Sequence, residues 1–231
     1  MSLYAISDLH LSFGTNKAMD IFGDNWINHF IKIKNNWEKL ISKDDVVLLC
    51  GDFSWAMNLD EVKPDLNWLN TLPGTKILTR GNHDYWWTSI NKLNSLYSSI
   101  KFIQNNYMAY KDYAICGSRG YNLDVTEDQD SEHHSKILQR EKIRMKLSLD
   151  AALKSGFKKI IYMFHYPPFS TNVNCINKNV FLDLINEYNI EIILYGHIHS
   201  NFDNFYQRKL NNTLYYLTSC DYLNFTPLKV L

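Results

Sequence analysis

The sequence predicts an α/β fold. Short apolar runs recur along the whole chain, amphipathic stretches of helical period alternate with them, and five of the runs end in carboxylate, imidazole or amide side chains. Strands alternating with helices imply mostly parallel pairing, while three consecutive runs joined by short polar turns add antiparallel pieces, so a mixed sheet is expected. At 231 residues the chain is expected to form one domain over 1–231.

The elements follow in order. Leu3–Ile6 reads as the first strand. Asp24 is placed to cap a helix over about 25–41, where Trp26, Phe30, Ile33, Trp37 and Leu40 recur at helical spacing on one face. Residues 46–50 are apolar throughout, as a strand buried on both faces requires. A helix over 60–72 stops at Pro73-Gly74, and strand 76–79 and a helix over about 86–97 come next. Strands are expected at 101–103, 107–110 and 113–116, joined by turns at Asn105-Asn106 and Lys111-Asp112. An acidic loop at 127–132, followed directly by His133-His134, leads into a charged helix over about 135–154. Strand 159–164, helix 180–188, strand 191–194 and two closing strands, near Phe205 and at 214–218, complete the chain.

Composition removes several function classes. Twenty-four Lys and Arg balance 24 Asp and Glu, so the chain lacks the basic footprint of a protein built to hold nucleic acid. Hydrophobic residues at 45% are enough for a packed core and too many for a disordered chain. The longest apolar runs, 46–50 and 160–164, are far short of the ~20 residues that span a bilayer, so no membrane helix is expected. Met1 to Asp8 carries neither a basic leader nor an apolar signal core, which points to the cytoplasm. Cys50, Cys116, Cys175 and Cys220 form no Cys-x-x-Cys pair and read as reduced thiols, the first two in buried strands.

The chemistry is concentrated after the strands. Asp8-Leu9-His10, Gly51-Asp52, Gly81-Asn82-His83-Asp84, His165 and Gly196-His197-Ile198-His199 each follow an apolar run. Ligands of open α/β sheets bind outside the carboxyl ends of the strands, so five segments deliver polar groups to one edge. Asp8 and His10 are two apart, as are His197 and His199, which on extended backbone puts each pair on one side. Asp8, Asp52, His10, His165, His197, His199 and the amide oxygen of Asn82 are too many ligands for one tetrahedral ion, but suit two cations sharing a carboxylate. Two ions about 3.5–4 Å apart can clamp a phosphoryl group and activate a water. Any one of these motifs alone reads as an ordinary loop or surface feature; their joint occurrence, in order and each at a strand end, does not.

Together these motifs resemble the signature of calcineurin-like metallophosphoesterases, over residues 8–199. The resemblance implies a four-layer sandwich, with two mixed sheets flanked by helices. It implies Asp8, His10, Asp52 and His199 around one metal and Asp52, Asn82, His165 and His197 around the other, with Asp52 bridging. It implies hydrolysis of a small or medium phosphoester by in-line attack of a metal-bridging hydroxide. His83 would stabilise the transition state or protonate the leaving group, and Asp84 could hold its ring. The mixed ligand set suits manganese, iron or zinc.

Arg119, framed by glycines after strand 113–116, is a candidate phosphate clamp, against a surface salt bridge. Tyr85, Trp86 and Trp87 offer a stacking platform for substrate, against the core face of the following helix. Residues 121–135 are a candidate lid, and His133-His134 is read as solvated surface. The chain has Leu11 where superfamily protein phosphatases have Gly after Asp-x-His, and His83 where the lipid A-pathway hydrolases have Arg. Class III cyclic-nucleotide phosphodiesterases match its spacing best. The competing classes are a non-catalytic metal-binding scaffold on the same fold, which typically loses ligands that are all present here, and a single-zinc hydrolase, which metal count distinguishes.

Overall fold

The computed structural model describes residues 1–124, 131–170, 180–202 and 208–231, the side chains of Ser131 and Arg208 excepted. The described strands are β1 (Leu3–Ile6), β2 (Val46–Leu49), β3 (Thr75–Leu78), β4 (Ile100–Phe102), β5 (Tyr107–Tyr110), β6 (Tyr113–Gly117), β7 (Lys159–Met163), β8 (Ile192–Tyr195), β9 (Arg208–Leu210), β10 (Thr213–Leu217) and β11 (Leu228–Lys229). They form two sheets, ordered β11-β1-β2-β3-β4 and β5-β6-β7-β8-β10-β9. Each sheet has a parallel centre: β1 to β4 in one, β6, β7, β8 and β10 in the other. The antiparallel strands β11, β5 and β9 sit at the edges, so both sheets are mixed.

The helices are α1 (His29–Leu40), α2 (Leu59–Thr71), α3 (Ile90–Asn94), α4 (Ser131–Lys154) and α5 (Leu182–Glu187). Strand side chains alternate between two faces, and this makes three apolar layers. Leu3, Ala5, Leu48 and Ile77 of the first sheet meet Ile115, Ile161, Met163 and Leu194 of the second. Tyr4, Ile6, Val47 and Leu49 face away from that interface, onto Ile33 and Trp37 of α1 and Val62, Leu66 and Leu69 of α2. Ala114, Cys116, Ile160, Tyr162 and Ile193 pack on Met145 and Leu149 of α4 and Ile185 of α5. The result is the α/β sandwich, with two mixed sheets flanked by helices, that the sequence led us to expect. No helix among the described residues is long and apolar enough to cross a membrane.

Several elements depart from expectation. The helix expected over 25–41 is broken: Asp24–Trp26 is a 3-10 turn, Asn28 adopts left-handed backbone at φ 52°, and α1 starts at His29, so Asp24 does not cap it. Trp26 instead turns inward, edge-on to His10 at 6.1 Å. The helix expected over 86–97 shrinks to α3, because Trp86 and Trp87 are buried in the core and Asn94 bonds the backbone of Phe102. Helix α4 begins four residues earlier than expected, which places His133 and His134 on its first turn rather than in a loop. The short β11 pairs with β1 and was not anticipated. The strand expected near Phe205, Cys175, and most of the expected acidic loop lie outside the described residues. Cys50, Cys116 and Cys220 are buried free thiols, as reduced cysteines should be.

Candidate metal centre

The two sheets meet at the edge where their parallel strands end. Beyond β1 and β10, Ser7 and Ser219 form a parallel bridge, with the Ser7 N–H donating to Thr218 O at 2.7 Å and the Cys220 N–H to Ser7 O at 3.0 Å. Beyond β1 and β2 the ladder continues from the Asp8 N–H to Gly51 O and from the His10 N–H to Asp52 O. Backbone bonding thus carries the strand-end loops inward before any ligand is needed. Asp8, His10, Asp52 and His197 all have positive φ, from 45° to 73°, an uncommon conformation that the surrounding structure must enforce. The motif glycines make room for this crowding. A Cβ on Gly81 would fall on the Asp52 carboxylate and backbone N, and one on Gly196 on the Asp8 carboxylate.

The candidate ligands converge in two groups. Asp8, His10 and His199 place ligand atoms within 4.8 Å of one another, and so do Asp52, His165 and His197. Asp52 joins the groups: its Oδ2 lies 4.0 Å from His10 Nε2 and 3.4 Å from His165 Nε2. Its other oxygen is spent on the His83 backbone N–H at 2.8 Å. Asp8 is held through both oxygens, since each accepts the His197 backbone N–H at 3.1 Å. Its Oδ2 accepts from the hydroxyls of Ser7 and Ser219, at 2.5 and 3.0 Å, while Oδ1 faces His199 Nε2 at 3.7 Å. Asn82 Oδ1 lies 2.7 Å from His165 Nε2.

Each group presents lone pairs to a common point. The His165 Nδ1–H donates to Cys50 O at 3.0 Å, which leaves Nε2 pointing at the Asn82 and Asp52 oxygens. The His199 Nδ1–H donates to the Asp221 carboxylate at 3.1 Å, which leaves Nε2 facing His10 Nε2 at 3.3 Å. Nitrogen and oxygen lone pairs this close repel unless a proton or a cation lies between them. The carboxylate behind His199 is the arrangement that orients metal-bound imidazoles. His10 Nδ1 is buried without a hydrogen-bond partner. The donor set therefore fits divalent cations of borderline hardness.

The electrostatics agree. Burial pushes Asp8 up, against the pull of His165 and His199. Burial also opposes charge on Asp52 and on His165, but their mutual attraction, joined by His10 and the His83 N–H at Asp52 and by Asp8 and the Cys50 carbonyl at His165, outweighs it: Asp52 falls below the usual carboxylate range and His165 rises to about 9. The paired carboxylates hold a proton at His165 that a bound cation would displace. Burial drives His10 well down and His197 to about 3, so these imidazoles are neutral and available as ligands at pH 7.

His83 lies beside this centre. Its Nε2 is 4.0 Å from Asp52 Oδ2, its ring contacts Trp55 at 4.3 Å, and its side chain is 35% exposed. Asp84 does not orient that ring, contrary to expectation. It is fully buried, and its oxygens accept the N–H groups of Gly81, Asp52, Phe53 and Ser54 and the Trp86 indole N–H. Asp84 thus ties the loop after β2 to the loop after β3. Of the aromatic triplet, Trp86 and Trp87 belong to the core and only Tyr85 is exposed. Arg119 does not line the cavity over the ligands. Its carbonyl accepts the N–H groups of His165 and Tyr166, and its side chain lines a neighbouring cavity.

Sequence reasoning missed Asp221, Ser7, Ser219 and the wall of the site. Asp221 follows β10 as the other motifs follow their strands, so the strand-end rule could have found it. The cavity over the candidate ligands, about 300 Å³, is lined by Met19, Phe22, Trp26 and Trp55 together with His83, His197 and His199. Trp55 stacks on His10 at 4.8 Å. Nothing in the spacing of residues 19–26 marks them as a pocket wall.

The profile of the calcineurin-like phosphoesterase family matches residues 1–201, and the chain belongs to that family. A phosphopantetheinyl hydrolase from Mycobacterium tuberculosis superposes with a TM-score of 0.62 at 16% identity, covering 100% of this chain and 95% of that one. A protein of unknown function from Aquifex aeolicus gives 0.51 at 17% identity, over 99% and 95%. These likenesses show the shared fold. The Gene 66 protein of Mycobacterium phage L5 is 34% identical over 80 residues, which is 34% of this chain and 37% of that protein, so the match spans little more than a third of the relative's length.

Proposed function

We propose that this chain hydrolyses a small phosphoester at a centre of two metal ions. The single observation carrying this reading is the position of Asp52, whose Oδ2 stands within 4.0 Å of an imidazole from each ligand group, as a bridging carboxylate must. Asp8, His10, Asp52 and His199 would hold one cation, and Asp52, Asn82, His165 and His197 the other. Bound there, two cations would neutralise charge on the phosphoryl oxygens and supply an activated water. The residues do the rest. Asp52 keeps one oxygen fixed by the His83 N–H and offers the other inward, while Asp8, held by Ser7, Ser219 and the His197 N–H, turns Oδ1 toward His199. Asp221 and the Cys50 carbonyl hold His199 and His165 in one ring orientation. His83, at the mouth of the cavity, would donate a proton to the leaving oxygen or hydrogen-bond the transferring group. The aromatic wall favours a substrate with an apolar or planar group next to the phosphoester.

The test is a panel of phosphomonoesters and phosphodiesters assayed with added manganese, with Asp52→Asn as the blank. Turnover of at least one ester, falling by about 10²–10³-fold or more in Asp52→Asn, supports the reading. No turnover by the metal-replete chain, or equal turnover by the variant, refutes it and favours a metal-binding scaffold.

A further inference from the structure

A second polar cavity, of about 130 Å³, opens at the same edge of the sandwich, where β3, β4 and β6 end against α4. Three arginines line it: Arg80 after β3, Arg119 after β6 and Arg144 on α4. A single water needs only ~15 Å³, so a polyatomic ion has room. Like charges do not gather without cause. The Nε atoms of Arg80 and Arg119 are buried with no hydrogen-bond partner, and neither guanidinium is within salt-bridge distance of a carboxylate among the described residues. Arg144 pairs with the buried Glu141, and Asp84 attracts Arg80 from farther off, so the arginines outnumber the acids. Ser118 lines the same cavity, and so does Asn105, whose buried amide oxygen is unpartnered and which can present its NH₂ by turning over.

The geometry points to an oxyanion site of the phosphate class, held by Arg80, Arg119 and Arg144. Planar guanidiniums match a tetrahedral oxyanion bidentately, and an anion here would satisfy the two orphaned donors. The site is joined to the proposed metal centre through the backbone of two of its arginines. Arg80 stands two residues before Asn82, and the Arg119 carbonyl fixes His165. A phosphate held here is therefore either a second phosphate on the substrate or free phosphate beside it.

Calorimetric titration of inorganic phosphate into the full metal-loaded chain reads binding apart from hydrolysis, so it stands or falls independently of the proposed activity. Two equivalents are expected in the wild-type chain. Asp52→Asn should lose the one at the metal centre. Arg119→Gln and Arg144→Gln should lose the other or weaken it about tenfold or more, with metal content unchanged as the control for folding. Arg144, with its side chain 40% exposed, decides the matter if the Arg119 variant does not fold. Two equivalents of unchanged affinity in Arg144→Gln, or no phosphate bound by Asp52→Asn, overturn the assignment. A kinetic arm separates the sources. If Arg144→Gln selectively raises KM for a bis-phosphorylated ester over its singly phosphorylated analogue, the phosphate belongs to substrate. If the lost equivalent comes with no such selectivity, the site takes free phosphate.

Discussion

At the scale of single residues, the site is an exercise in dividing the oxygens of each carboxylate. Asp52 commits one oxygen to the protein and leaves the other facing His10 and His165, Asp8 bonds the protein through both yet turns Oδ1 toward His199, and Asp84 commits both to loop amides and an indole. His83 holds no such structural bond through its ring, so His83→Ala should keep the metal content of the wild-type chain and lose about 10²–10⁴-fold in kcat. Retained turnover at full occupancy would remove it from the mechanism. Away from the site, Asp45 accepts from the Ser2 N–H at 2.5 Å and from the Ser42 N–H and hydroxyl at 2.9 and 2.8 Å, and these bonds lower it to about 2. A carboxylate depressed in the folded state stabilises above its unfolded pKa of about 4 and loses that contribution as pH falls toward 2. Asp45→Asn should therefore cost about 1–2 kcal/mol in denaturant melts at pH 6, with the gap closing near pH 2. The candidate ligands were legible because sequence order places them after strands, and the structure brings them together. Asp84 was misread because its partners are backbone amides from a loop about 30 residues away, which no local pattern encodes.

At the scale of elements, strands were more legible than helices. β2 and β7 are buried on both faces and so read as continuous apolar runs. The stretch around Trp26 and the one around Trp86 have helical periodicity but are not helical there, because their indoles are anchored elsewhere: Trp26 against His10 and Phe225, Trp86 on Asp84. The tight joints between strand ends carry a direct expectation. Gly81→Ala should displace Asp52, since the new methyl falls on that carboxylate, and should lower metal content and activity together while leaving the core elements in place. Unchanged metal content with a wild-type circular dichroism spectrum would show that the joint tolerates a side chain.

At the scale of the whole molecule, two sheets held together by an apolar interface bring their carboxyl edges to one place. Residues from Asp8 to Asp221 then share a centre less than a few side chains wide. Ions bound across that edge, as proposed, would link both sheets, so their removal should be felt globally. A ligand present at about a thousandfold over its Kd adds about 4 kcal/mol. For a chain of 231 residues, chelation should then lower Tm by about 10 °C. The sandwich was legible from the strand–helix alternation together with the motif set. The antiparallel edge strand β11 and the aromatic wall depend on long-range packing and were not.

The measurement that bears most directly on this account is the metal content of the purified full chain by elemental analysis, alongside Asp52→Asn. Two ions per chain, with at least one lost in the variant, is the expected result. A single ion at saturation, or two ions retained without the Asp52 carboxylate, would contradict the dinuclear centre.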